Sequence, residues 1–222
     1  MSAAIVIDRS LRFPASQFFQ ESYPKWQIYV HHTVGGSAES SFNYWMKKPD
    51  RVGTAYLIDR DGTIFEVFDP RYWCHHLGLT HKRNTELNQR SIGIEIASEG
   101  ALQKDKDGIL RAFDGRAVFR DRAVSLKAPW RGYSHFDLYE DAQEKSLRIL
   151  VKHLCEQFSV PKRCVEQKES TLFDEKFFDF NGILGHCNVR TDKTDPHPLF
   201  RYDQLQAYLD GVDLGEAVPI PA

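Results

Sequence analysis

Residues 26–34, WQIYVHHTV, alternate with the two-residue period of a strand, which sets Tyr29, His31 and Thr33 on one face and Ile28 and Val30 on the other. Gly35-Gly36 ends the run. Ser37 then stands where it can cap a helix whose Phe42, Trp45 and Met46 share a face, and Pro49 stops that helix. TAYLIDRDGTIFEVF carries two β-rich runs around Asp61-Gly62, a hairpin signal. SIGIEIAS (91–98) predicts an interior strand, with Ile92, Ile94 and Ile96 on one face and Gly93, Glu95 and Ala97 on the other. A carboxylate between the two smallest side chains predicts open space around it. An edge strand that shows Glu95 to water fits the same pattern.

Residues 101–135 break the periodicity. They are charged, carry three Gly and one Pro, and predict a long elaborated loop of the kind that often binds ligands. Its Arg116, Arg120, Arg122, Lys127, Arg131 and Trp130 are candidates for contact with an acidic, sugar-bearing substrate. Asp141 opens an amphipathic helix with Leu147, Leu150, Val151, Leu154 and Phe158 on its core face. NGILGH (181–186) predicts a final strand and FRYDQLQAYLD a closing helix. Neither repeats nor linker composition divide the chain. The expectation is one α/β (α+β) domain, a central mixed sheet flanked by helices: an N-terminal extension over 1–25, a catalytic domain over 26–212 and a tail over 213–222.

Composition narrows the function classes. At 222 residues, 41% hydrophobic and 13% aromatic, the chain is a globular protein with room for a sizeable core. A net charge of -2 gives nucleic-acid binding no support. No apolar run approaches the ~20 residues of a membrane span, and the five-residue run AAIVI is too short for a secretory h-region. A protein cytoplasmic as synthesised is expected, reaching a cell wall only as a phage lysin or exported toxin. The four cysteines, Cys74, Cys155, Cys164 and Cys187, form no CxxC pair and predict reduced thiols. Cys187 adjoins His186, but strand alternation turns it to the opposite face.

Candidate chemistry concentrates in GHCNVRTDKTDPHP, which holds His186, Lys193 and Asp195 within ten residues. Two histidines and a carboxylate with one position left to water make a catalytic zinc site. His31 at the end of the first strand, His186 at the end of the last and Asp195 in a proline-stiffened loop form a feasible triangle. Such a site also needs a base for the water's proton and a donor for the oxyanion. Glu95 suits the first task and Lys193 the second.

YVHHT, VGTAYLIDRDGTIFEVF, W-x-H-H-x-G (Trp73 to Gly78), N-x-R-SIGIEI (Asn88 to Ile96) and GH…K-T-D-P-x-PLF (Gly185 to Phe200) together resemble the zinc N-acetylmuramoyl-L-alanine amidases, a family related to the peptidoglycan-recognition proteins and phage amidase lysozymes. The resemblance runs in order from about residue 26 to 210. It implies Zn2+ on His31, His186 and Asp195, Glu95 acting on the water, and Lys193 as the transition-state residue. It further implies hydrolysis of the amide between N-acetylmuramic acid and L-alanine in peptidoglycan or muropeptides, with His76, Trp73, Asn88 and Trp130 as substrate-binding candidates. The alternatives are a non-catalytic peptidoglycan-binding module on the same fold and a zinc peptidase or amidase for another substrate. Recycling of soluble anhydro-muropeptides and endolysis both fit.

Three departures stand out. The segment from His186 to Lys193 is shorter than the family's usual form and lacks its proline. Thr54-Ala55 stand where family members often carry tyrosine or histidine, leaving Glu95 to act on the water. The 101–135 segment exceeds that of compact members.

Overall fold

The computed structural model describes residues 5–214, apart from the side chain of Arg120, so the tail from 215 onward lies outside the described residues. Chain order runs β1 (Gln27–His32), α1 (Ala38–Trp45), β2 (Tyr56–Ile58), β3 (Ile64–Glu66), α2 (Asn84–Gln89) and β4 (Ser91–Ile96). It continues with β5 (Ala101–Lys104), β6 (Leu110–Arg111), β7 (Ala117–Val118), β8 (Ala123–Trp130), β9 (Tyr133–Asp137), α3 (Asp141–Phe158), β10 (Gly182–Gly185) and α4 (Tyr202–Leu209).

The central sheet has the order β10-β1-β4-β2-β3. β1 is parallel to both β10 and β4, β4 is parallel to β2, and β2 turns back antiparallel into β3 through the Asp61-Gly62 hairpin. This mixed sheet is the one the alternation predicts. β4 lies in its middle, which removes the edge-strand reading of Glu95. Ile92, Ile94 and Ile96 are almost wholly buried with Ile28 and Val30, in one core with Leu147, Leu150, Val151 and Leu154 of α3. α3 begins with a capping box, the Glu140 side chain accepting from the backbone of Gln143 and the Gln143 side chain accepting from Glu140 N. α1 is capped as expected, Ser37 Oγ accepting from Ser40 N at 3.1 Å. Trp45 is buried and Phe42 packs on the core, whereas Met46 is exposed, because it sits past the last helical residue.

The N-terminal segment is woven into this unit. Phe13 N donates to Val67 O, its ring stacks on Phe42 and Phe68, and Asp8 pairs with Phe65, covering the outer strand β3.

The expectation of a loop over 101–135 is overturned. These residues build a second, antiparallel sheet of order β7-β6-β5-β9-β8. Asp107-Gly108 and Asp114-Gly115 make its turns, with glycine φ of +79° and +85°. Leu102, Leu110 and Ala112 form a small core of their own. The two sheets are tied by Asp137, which has no solvent exposure and pairs with Arg60 and Arg122 while accepting from Glu99 N and Ser98 Oγ.

Candidate metal centre

Parallel pairing sets His31 of β1 directly beside Glu95 of β4. Because paired residues of neighbouring strands share a face, both side chains look into the same cleft. β10, on the other flank of β1, ends at Gly185, so the next residue, His186, emerges beside His31. Asp195 returns to the pair from the following loop. The result is compact: His31 Nδ1 lies 3.1 Å from His186 Nδ1, and each nitrogen is 3.0 Å from Asp195 Oδ2. All three residues are buried, and this is the cluster of ligand-type side chains, among the described residues, that can hold a metal ion.

The outer nitrogens of the two imidazoles are also occupied. His31 Nε2 is 3.0 Å from His76 Nδ1, and His186 Nε2 is 2.8 Å from the carbonyl of Leu77. A carbonyl only accepts, so His186 Nε2 carries a proton, and Nδ1 is the ring atom turned to the cluster, where it can give a lone pair to a cation. Burial and the neighbouring His186 lower the pKa of His31 to about 4, against the opposing pull of Asp195. Burial of Asp195 works to raise its pKa, but the two histidines hold it well below the usual carboxylate range. A neutral imidazole, a second one with Nδ1 turned inward and an ionised carboxylate therefore converge. That donor set fits a zinc-type cation.

The surrounding cleft encloses about 790 Å³ and is lined by His31, His186, Asp195, Glu95, Lys193 and His76. Burial pushes the Glu95 carboxyl well above its usual range, Asp195 adds to the rise and Lys193 opposes it. Glu95 Oε2 is shielded from solvent and has no hydrogen-bond partner among the described residues. Val34, Tyr44 and Phe113, all exposed apolar side chains, stand on the rim with Arg116, which pairs with Glu99 and Asp114.

The structure separates the other candidates. Trp73 is buried and stacks on Phe19 with ring centroids 3.9 Å apart, and it does not line the cleft. Asn88 is fully buried, its Oδ1 accepting from His76 N and Leu77 N, so it shapes a loop and does not line the cleft. Trp130, at the end of β8, lies against Arg131 and Phe136, away from the lining. Of the basic residues of the second sheet, Arg116 alone among those with a described side chain lines the cleft; Arg120's side chain lies outside the described residues. The space expected around Glu95 is partly filled. A Cβ on Gly93 would stand 2.6 Å from Thr54 Cγ2 and 3.2 Å from His76 Cγ. Cys187 is buried away from the cluster, its thiol against Ser170 O.

Arg131, expected to contact substrate, has a different place that sequence reasoning missed. From the tight β8–β9 turn, at φ +49°, its guanidinium donates to the carbonyls of Cys187 (2.9 Å), Arg190 (2.8 Å) and Lys193. The shortened loop between His186 and Lys193 is held from outside by this arginine. Trp-Arg-Gly-Tyr between two β-rich runs was the available hairpin signal.

A family profile described as N-acetylmuramoyl-L-alanine amidase matches residues 22–198. The chain belongs to the N-acetylmuramoyl-L-alanine amidase family. The amidase fold is also that of solved structures of low identity. PlyL is 16% identical with a TM-score of 0.55, over 92% of this chain and 97% of that one. The PlyG catalytic domain is 15% identical with a TM-score of 0.57, over 97% and 99%. The E. coli amidase AmiD, solved with anhydro-N-acetylmuramic acid-L-Ala-D-gamma-Glu-L-Lys, is 22% identical with a TM-score of 0.53, over 86% of this chain and 60% of that one. No curated protein sequence matches the chain. Among the described residues no helix is long and apolar enough to cross a membrane.

Proposed function

We propose that this amidase is a zinc hydrolase that cleaves the amide between the lactyl group of N-acetylmuramic acid and L-alanine, with Glu95 as base and Lys193 as oxyanion donor. The observation that carries the reading is the convergence of His31 Nδ1, His186 Nδ1 and Asp195 Oδ2 in a cleft that Glu95 and Lys193 also line. Bound there, zinc supplies a Lewis acid that acidifies water and polarises a carbonyl. The protein's own groups do the rest. Glu95, one strand from His31, takes a proton from the attacking water and returns it to the departing amine of L-alanine. Its raised affinity for a proton suits that exchange. Lys193, held by its carbonyl to Arg131, presents an ammonium to the oxyanion of the tetrahedral species. The apolar rim of Val34, Tyr44 and Phe113 offers a surface for the sugar face and excludes water. A muropeptide like the one bound by AmiD has the chemistry the cleft requires: a sugar, a scissile amide and a peptide.

The test is incubation with a soluble muropeptide, with zinc or with chelator, followed by mass spectrometry. Free stem peptide is expected with zinc and absent with chelator. An intact muropeptide in the presence of zinc would refute the reading.

A further inference from the structure

We infer that the loop from Trp73 to Gly78, pinned by Asn88 and Ser91, fixes both histidine ligands in the tautomer and ring orientation the metal requires, making His76, Asn88 and Ser91 positioning residues of the metal centre. The inference rests on the reading of His31, His186 and Asp195 as ligands. It follows from where the protons must lie.

The Leu87 carbonyl can only accept, and Ser91 Oγ donates to it at 2.6 Å. A hydroxyl has one proton, so the same oxygen must accept from its other neighbour, His76 Nε2, at 2.9 Å. Nε2 therefore carries the single proton of a neutral His76, and its Nδ1 is a lone pair. His31 Nε2, 3.0 Å away, must donate to it. His31 Nδ1 is left as a lone pair, 3.1 Å from His186 Nδ1 and 3.0 Å from Asp195 Oδ2, a convergence of acceptors that a bound cation completes. A carbonyl in α2 thus sets the tautomer of a ligand three hydrogen bonds away.

A second branch leaves the same loop one residue later. Leu77 O accepts from His186 Nε2 and sets that ring the same way. The two branches share one anchor. Asn88 Oδ1 accepts from both His76 N (2.8 Å) and Leu77 N (3.1 Å), while its Nδ2 donates to Asn84 O at 2.7 Å. Asn88 has no exposure and Ser91 3%, so neither can meet a substrate. Gly93 completes the seat, since any side chain there would press on His76. Outer partners of this kind hold ligand rings in place and raise their basicity.

The experiment uses full-length protein. First, 15N–1H correlation of the imidazoles in the zinc-loaded protein reads the His76 tautomer directly, and a proton on Nε2 is expected. Second, zinc affinity is measured by competition with a chromophoric chelator for wild type, Ser91→Ala and Ser91→Thr, alongside melting of the metal-free forms. Ser91→Ala is expected to bind zinc ~10–100-fold more weakly with an unchanged melting temperature, and Ser91→Thr to recover wild-type affinity. The inference is overturned by a His76 proton on Nδ1, or by Ser91→Ala affinity within about twofold of a zinc-binding wild type. Should Ser91→Ala not fold, the wild-type tautomer still decides. Wild type that binds no zinc would instead strike at the metal site itself.

Discussion

Glu95 carries more of the account than any other single side chain. Alternation alone assigned it a face, and its pairing with His31 explains why that face matters. Its face was legible in SIGIEI, but its place in the middle of the sheet was not, because an edge strand fits the same alternation. Nor was the crowding of that face at Gly93, where Thr54 and His76 arrive from distant segments. Replacement by glutamine keeps the shape and removes the proposed base. Glu95→Gln is expected to lower kcat ~10²–10⁴-fold with zinc content unchanged, measured by steady-state kinetics and metal analysis. A second expectation concerns pH. Glu95's folded pKa is raised above the ordinary 4.5, so the native state holds this proton more tightly than the unfolded chain. Below that ordinary value both states are protonated and the group contributes nothing. As pH rises toward the raised pKa, the unfolded state ionises first and the fold loses stability. Metal-free Glu95→Gln is therefore expected to melt with wild type at low pH and progressively above it toward neutrality, by calorimetry. Parallel melting curves at all pH values would remove burial as the cause.

Among the elements, the strands that build the site were the most readable. β1, the β2–β3 hairpin, β4 and β10 are half- or fully buried, so each displays a period or an apolar run. The second sheet hid because β6 and β7 are two residues long and β8 is largely exposed, which leaves no alternation to count. Its two Asp-Gly turns were the usable signal. Arg131 was beyond reach for a different reason. Its partners are main-chain carbonyls, and a backbone acceptor leaves no trace in residue identity. Arg131→Ala is expected to leave the central sheet protected while residues 187–193 exchange amide hydrogens faster, read by hydrogen–deuterium exchange. Unchanged protection of that loop would show that the guanidinium does not hold it.

At the scale of the whole molecule, one buried anion couples the inserted sheet to the sheet that carries His31 and Glu95. Asp137 faces Arg60 from the β2–β3 side and Arg122 from its own sheet, with no exposure of its own. Removing one member of a buried ionic group leaves its partners uncompensated. Asp137→Ala is expected to cost ~3–5 kcal/mol of unfolding free energy in urea titrations. A loss below ~1 kcal/mol would mean that the arginines find other partners or water. The coupling also orders the molecule's roles. The central sheet brings His31, Glu95 and His186 side by side, the loop after β10 adds Lys193 and Asp195, and the inserted sheet braces that loop and raises Phe113 and Arg116 over the cleft. In the proposed reaction three donor atoms meet to hold zinc, and diffraction from zinc-soaked crystals on both sides of the zinc absorption edge shows whether they do. One dominant anomalous peak bonded to His31 Nδ1, His186 Nδ1 and Asp195 Oδ2 is expected; a map with no peak there, or with its strongest peak on other side chains, would refute the site.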